Sequence, residues 1–228
     1  MRPRTRAGRT LSILIASGPT REPIDPVRFL SNYSTGYMGA QLAAEALRRG
    51  HRVTVISGPS AEPPPAHARV IRVEQAQEMA RALRDRARSA DAVIMAAAVA
   101  DYRPIRPSAA KLERAGRLTL RLRATPEIIG RLPRRRGQVV AGFALETSRV
   151  LARARRKLRE KRLDLVVAQR ANGTGAPFGR GTVSAWLLER NGAVARLGTK
   201  PKLAVARALL DKVEALWYGR NPEKASEG

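Results

Sequence analysis

At 228 residues the chain has room for one α/β domain with a full core and is short for two. It contains no cysteine, which excludes disulfides, thiolate metal centres and thiol nucleophiles. The 44 Lys and Arg against 19 Asp and Glu leave a formal +25, a field that attracts polyanions, but no nucleic-acid-binding motif accompanies it. A GC-rich genome that favours Arg gives the same count, and aromatic residues are only 4% of the chain, too few for base-stacking platforms. Specific nucleic-acid binding is therefore not expected.

Residues 1–10 read as a disordered basic tail. The apolar run that follows, Leu11 to Ala16, is too short for a signal core or a membrane span, so a soluble cytoplasmic protein is expected. That run is rich in β-branched residues and stops at Ser17-Gly18-Pro19, which predicts a buried strand ended by a turn. A polar loop with Pro23 and Pro26 follows. Ser34-Thr-Gly-Tyr-Met-Gly then opens a helix whose apolar face carries Leu42, Ala43, Ala46 and Leu47, with Gly50 as its stop.

A second strand is predicted at Arg52 to Ser57, a Pro-rich loop at Gly58 to Pro65, a third strand at Arg69 to Val73 and a helix over Glu74 to Ser89. Asp91 to Ala98 is continuously apolar, the pattern of a parallel strand covered by helices on both faces. Asp101 to Gly116 has no period and reads as a mobile connection to a strand at Leu118 to Leu122. Val139 to Leu145 (strand), Arg149 to Arg162 (helix) and Leu163 to Ala168 (strand) continue the alternation. After a Gly-rich stretch, Asn172 to Gly181, a hairpin turns at Asn191-Gly192 between Thr182 to Glu189 and Ala193 to Leu197. A helix over Pro201 to Trp217 closes the domain, and 219–228 read as a disordered polar tail. The fold class expected is a single Rossmann-like domain over 11–218, with a doubly wound, mostly parallel sheet and a small antiparallel C-terminal hairpin.

In such a sheet ligands sit beyond the carboxyl ends of the strands, which here read Ser17-Gly18-Pro19-Thr20, Ala96-Ala-Ala-Val-Ala-Asp101 and Gly142-Phe143. Gly18, Gly36 and Gly39 offer amide donors and room for phosphates at the mouth of the first helix. Their spacing is far longer than a compact dinucleotide fingerprint, so the glycines alone are also consistent with turns and a helix cap.

The segment between them, Thr20-Arg-Glu-Pro-Ile-Asp-Pro-Val-Arg-Phe-Leu-Ser-Asn-Tyr-Ser-Thr-Gly-Tyr-Met-Gly, resembles the phosphopantothenoylcysteine synthetase family. Further matching motifs follow in order: Ala96-Ala-Ala-Val-Ala-Asp-Tyr-Arg-Pro, Lys111-Leu, Thr125-Pro-Glu-Ile, Val140-Ala-Gly-Phe-Ala-Leu-Glu-Thr and Lys157-Leu-Arg-Glu-Lys161 before Asp164-Leu. The resemblance implies a ligase in which the carboxylate of 4′-phosphopantothenate attacks CTP, giving pyrophosphate and an acyl-cytidylate that cysteine captures with release of CMP. It implies a magnesium ion whose ligands no sequence cluster identifies, a homodimer, and a decarboxylase supplied by a separate polypeptide.

By position, the resemblance assigns catalytic roles to Arg28 and Asn32 on the acyl side and to Lys111 on a phosphate-contacting flap. It assigns nucleotide contacts to Gly18, Thr20, Gly36, Gly39, Met95, Ala96, Ala97, Asp101, Pro126, Glu127, Phe143, Lys157 and Lys161, and Ala98 to the substrate or intermediate. Three departures stand out: Tyr37 where the family has a basic residue, Gln169 where it has Asn, and Phe178 to Val183, which lacks the family's Asp and Asn. The residues leave CTP against ATP open. A relative with an altered reaction and a basic nucleic-acid-binding module are the competing readings.

Overall fold

The computed structural model describes residues 10–171 and 177–225, so the N-terminal tail and part of the Gly-rich stretch lie outside the described residues. In chain order the elements are β1 (Ser12–Ser17), β2 (Arg21–Pro23), β3 (Phe29–Ser31), α1 (Tyr37–Arg48), β4 (Arg52–Ser57), β5 (Arg69–Arg72), α2 (Ala76–Ala87) and β6 (Ala92–Met95). They continue with β7 (Tyr102–Pro104), β8 (Leu122–Ala124), β9 (Val139–Glu146), α3 (Val150–Glu160), β10 (Leu165–Arg170), β11 (Thr182–Glu189), β12 (Val194–Pro201), α4 (Lys202–Arg220) and α5 (Pro222–Ala225).

Eight strands form one sheet in the order β12-β11-β10-β9-β6-β1-β4-β5. The six from β5 to β10 run parallel, and β11 and β12 add the antiparallel hairpin. Period-2 alternation sends Ile13 and Ile15 of β1 to one face and Leu14 and Ala16 to the other, and all four are buried. The first face packs on Leu42, Ala43 and Ala46 of α1 and Val205, Leu209, Val213 and Trp217 of α4. The second packs on Met79 and Leu83 of α2 and Ala154 and Leu158 of α3. The expected doubly wound class is the observed one: the chain proceeds outward from β1 through β4 to β5, then returns to the other side of β1 with β6. That reversal opens a crevice at the carboxyl ends of β1 and β6.

Differences from the sequence reading are local. The loop expected around Pro23 and Pro26 contains a three-residue hairpin, β2 with β3, because Arg21, Glu22 and Pro23 pair with Ser31, Leu30 and Phe29. β6 stops at Met95 and not Ala98; Ala98 leaves the sheet to bridge Pro19, with its N–H donating to the Gly18 carbonyl. The strand expected at Leu118 to Leu122 lies at Leu122–Ala124, where pairing with Tyr102–Pro104 sets the register. In the expected disordered tail, 219–220 belong to α4 and 222–225 form α5, with Asn221 between them, while 226–228 lie outside the described residues. Arg220 is tied in by hydrogen bonds to the Gln138 carbonyl and to Asp164. Among the described residues no helix is long and apolar enough to cross a membrane.

A charged cluster locks α1 onto α4. Glu45, 2% exposed, accepts from Arg48 (2.6 and 2.8 Å) and Arg49 (3.0 Å) and meets Arg207 of α4 at 3.4 Å. The arginine beside it, Arg48 first, holds its pKa at about 2 against an ordinary 4.5. A depressed carboxylate stabilises the fold above its unfolded pKa, and this contribution is lost as pH falls from 4.5 toward 2. Allowing for solvent screening of the half-exposed Arg48 and Arg207 heads, we expect Glu45→Gln to lower stability at pH 7 by about 1–2 kcal/mol. It should also flatten the acid limb of urea-denaturation stability measured between pH 6 and 3.

Candidate functional site

The site begins with how α1 is seated on the end of β1. Gly18 leaves the strand in the left-handed region (φ 81°), and a Cβ there would lie 3.0 Å from the Gly58 carbonyl oxygen. A Cβ on Gly39 would lie 2.0 Å from Ser17 Oγ, so only glycine lets the first turn of α1 rest on the strand. Ser17 Oγ donates to the carbonyl of Gly36, itself at φ 81°. Thr20 is fully buried, and its Oγ1 accepts from the Ala100 N–H. Gly18, Thr20, Gly36 and Gly39, expected as nucleotide contacts, thus form the frame that joins β1, α1 and the 96–100 segment; they are not on the cleft wall.

The cleft that this frame opens has a volume of about 660 Å³. It gathers Asn32, Met95, Ala96, Ala97, Ala98, Asp101, Pro126, Glu127, Phe143, Lys157 and Lys161, eleven of the residues predicted from sequence, from separate elements onto one wall. Asn32 Nδ2 donates to the Ala98 carbonyl at 2.8 Å, joining the β3 side of the cleft to the end of β6. Phe143 and Gly142 present the end of β9.

Two lysines of the α3 region enter the cleft differently. Lys161 Nζ lies 2.9 Å from Glu127 Oε1, so its charge is already matched. Lys157 pairs with no carboxylate among the described residues, and burial, with repulsion from Lys161, pushes its pKa down. An ammonium desolvated beside a second cation is stabilised by an incoming anion. Among the described residues no cluster of three or more His, Asp or Glu could hold a metal, which leaves Asp101 as a lone exposed carboxylate beside the cationic side.

Arg28 and Lys111 are not on this wall. Arg28 Nε and Nη2 donate to Asp25 Oδ2, and Nη2 also donates to the Leu112 carbonyl at 2.7 Å. The Leu112 N–H returns to Asp25 Oδ2 at 3.2 Å, and the Ser108 N–H reaches the Ile24 carbonyl at 2.8 Å. The connection expected to be mobile is therefore clasped, one residue beyond Lys111, to the 24–28 turn. Asp25, 3% exposed, accepts five hydrogen bonds in all, and the Arg28 guanidinium holds its carboxyl well below the usual carboxylate range.

The wall also holds Ser34, Thr35 and Lys202, which the sequence reading gave no site role, and Gln169 and Phe178, which it singled out only as departures from the family pattern. Lys202 opens α4, and Tyr37 opens α1 with the Lys202 ammonium 5.8 Å from its ring. A sequence signal for Lys202 existed, since a lysine as the first residue of a helix with no acid in its first turn opposes the helix dipole. A second hollow of about 550 Å³ lies at the opposite end of the sheet, lined by Arg52, Arg69 and Arg86, and contains none of the predicted residues.

A family model described as DNA/pantothenate metabolism flavoprotein C-terminal domain matches residues 8–216. The coenzyme A biosynthesis bifunctional protein CoaBC of Bacillus subtilis (strain 168) is 40% identical over 207 residues, 90% of this chain and 51% of that protein. A cysteine/cysteine sulfinic acid decarboxylase of an unknown prokaryotic organism is 38% identical over 208 residues, 90% of this chain and 58% of that protein. The crystal structure of the C-terminal domain of a coenzyme A biosynthesis bifunctional protein CoaBC superposes with a TM-score of 0.76 at 36% identity, covering 92% of this chain and 99% of that one. The chain thus spans about half the length of the curated relatives it matches.

The clasp is directly testable. Asp25→Asn removes the charge that holds both Arg28 and Leu112, and we expect limited trypsin digestion to cut after Lys111 and Arg114 severalfold faster than in the parent, with other sites unchanged.

Proposed function

The chain belongs to the DNA/pantothenate metabolism flavoprotein C-terminal domain family, and from that premise we propose that it is a ligase of coenzyme A biosynthesis. In this reading it joins 4′-phosphopantothenate to cysteine, with CTP as the activating nucleotide. The observation that carries the reading is the single cleft in which Asn32, the 95–98 strand end, Phe143 and the unmatched Lys157 meet at the sheet's switch point.

The chemistry asks little of acids and bases and much of charge neutralisation. A carboxylate oxygen of 4′-phosphopantothenate attacks the α-phosphorus of CTP; a new P–O bond forms, the bond to the β-phosphate breaks, and pyrophosphate leaves. The cysteine amine then attacks the acyl carbon, a proton leaves the nitrogen, and CMP departs with the electron pair of the acyl–oxygen bond. Lys157 and Lys161 neutralise nucleotide phosphates, Phe143 and the strand-end backbone hold base and ribose, and the Asn32 amide orients the acyl carbonyl. Asp101 is the cleft carboxylate that would hold a magnesium ion, which would offset the charge of the nucleotide phosphates. Arg28, turned away from its own cleft, is assigned to the site of a second copy in a homodimer. Supporting that assembly, Val27, Phe29, Tyr33 and Tyr102 expose apolar surface on the two small hairpins and the adjoining turns.

Pyrophosphate release should require CTP and 4′-phosphopantothenate together, and CMP release should require cysteine as well, with ATP compared in parallel. Folded protein that binds CTP yet releases neither product would contradict the ligase reading and favour a relative with altered chemistry. Carbon dioxide released from cysteine alone would instead align it with the decarboxylase it resembles.

The two lysines should separate. Lys157→Met is expected to weaken CTP binding about tenfold or more in calorimetry, and Lys161→Met less, because Glu127 already matches its charge.

A further inference from the structure

Lys157 enters the cleft from the α2 and α3 face of the sheet, and Lys202 enters from the face packed by α1 and α4. Lys202 stands where elementary electrostatics least favours a cation. It is 5% exposed, and as the first residue of α4 it occupies the positive end of a 19-residue helix with no acidic residue in the first turn. Tyr37, whose ring the ammonium faces, is the first residue of α1, so the side chains that open the two helices meet at this side of the cleft.

Among the described residues the ammonium's one hydrogen bond is to a neutral acceptor, the Gly179 carbonyl at 2.6 Å, and no carboxylate pairs with it. Burial pushes its pKa down. Arg180, 5.9 Å from the same ring, is already matched by Glu62 at 2.9 Å, which leaves Lys202 as the unmatched charge. A second, independent group lies in the same cleft wall: Gln169, 8% exposed, has an Nε2 with no hydrogen-bond partner among the described residues. A buried donor left unmade is costly, and a buried ammonium more so, unless something arrives to accept from them.

We propose that Lys202, the N-termini of α1 and α4 and the Gln169 amide form a phosphoryl-binding subsite on the α1 and α4 side of the cleft. It rests on the reading that the cleft takes phosphorylated substrates. Two sources share that chemistry: the nucleotide triphosphate and the terminal phosphate of 4′-phosphopantothenate. Lys202 replaces, from 165 positions further along the chain, the positive charge that Tyr37 does not carry at the mouth of α1.

The test measures binding of CTP, inorganic pyrophosphate and 4′-phosphopantothenate to the parent chain, Lys202→Gln, Lys202→Arg and a control, Lys212→Met, whose lysine pairs with Glu189 outside the cleft. Gln retains a donor for the Gly179 carbonyl and removes only the charge. We expect Lys202→Gln to lose about ten- to a hundredfold in affinity for at least one probe and to show a weaker dependence on ionic strength. Arg should retain most of the affinity, and the control should match the parent. Joint loss of CTP and pyrophosphate identifies the nucleotide phosphates; loss of 4′-phosphopantothenate alone identifies its terminal phosphate. Parent-like affinity and salt dependence in a Lys202→Gln protein with unchanged circular dichroism and melting overturns the subsite, as does a parent chain that binds none of the probes. A ligase assay on the same samples separates the two claims. Turnover indifferent to Lys202→Gln removes the subsite and leaves the ligase; absent turnover with Lys202-dependent pyrophosphate binding removes the ligase and leaves the subsite.

Discussion

The contact between Gly39 and Ser17 is the constraint on which the rest of the site depends. Any side chain at position 39 would place a Cβ 2.0 Å from Ser17 Oγ, so the absence of one lets the first turn of α1 rest directly on the end of β1. That seat brings Ser34, Thr35 and Tyr37 to the mouth of the cleft. It also fixes Gly36 through the Ser17 hydroxyl and leaves the 96–98 segment to turn back over Gly18. The glycines therefore shape the cleft by deciding where the helix end and the strand end lie.

The second organising fact is how the positive charge is distributed. With a formal +25, most arginines have no acid available, and the fold spends its buried carboxylates on structure. Glu45 joins α1 to α4, Asp25 joins the first hairpin to the Lys111 segment, and Asp164 joins β9 to α4 through Val140 and Arg220. Among the described residues Lys157 and Lys202 are cleft cations without such partners, one from each face of the sheet. Cations left unmatched where burial makes them costly mark the place where an anionic ligand completes the structure.

Much of this was legible in the sequence for a definite reason. Strands buried on both faces read as continuous apolar runs, and helices alternating between them carry period-3.6 faces, so element types and the doubly wound class follow from pattern alone. Strand-end residues such as Ala96–Ala98 and Phe143 could be placed because that class puts its crevice at those ends. What pattern could not supply is register and approach. The β2–β3 hairpin is only three residues a side, and β8 is set by pairing with Tyr102–Pro104, not by the apolarity of Leu118 to Leu122. Arg28 and Lys111 lie off the wall because Asp25 binds their neighbourhood to the 24–28 turn, a contact across 87 positions that no local signal encodes. Lys202 escaped because its one sequence signal, a cation opening a helix with no acid in the first turn, is faint among 44 basic residues, and Gln169, visible only as a departure from the family pattern, is joined to it only when folding buries both in the same cleft.

Under the proposed function, nucleotide enters at the carboxyl ends of β1, β6 and β9. Amide hydrogen exchange with and without CTP tests it most directly. Slowed exchange confined to 95–101, 37–38 and 142–143 is the predicted result. Protection appearing instead around Arg52, Arg69 and Arg86, at the other end of the sheet, would contradict it.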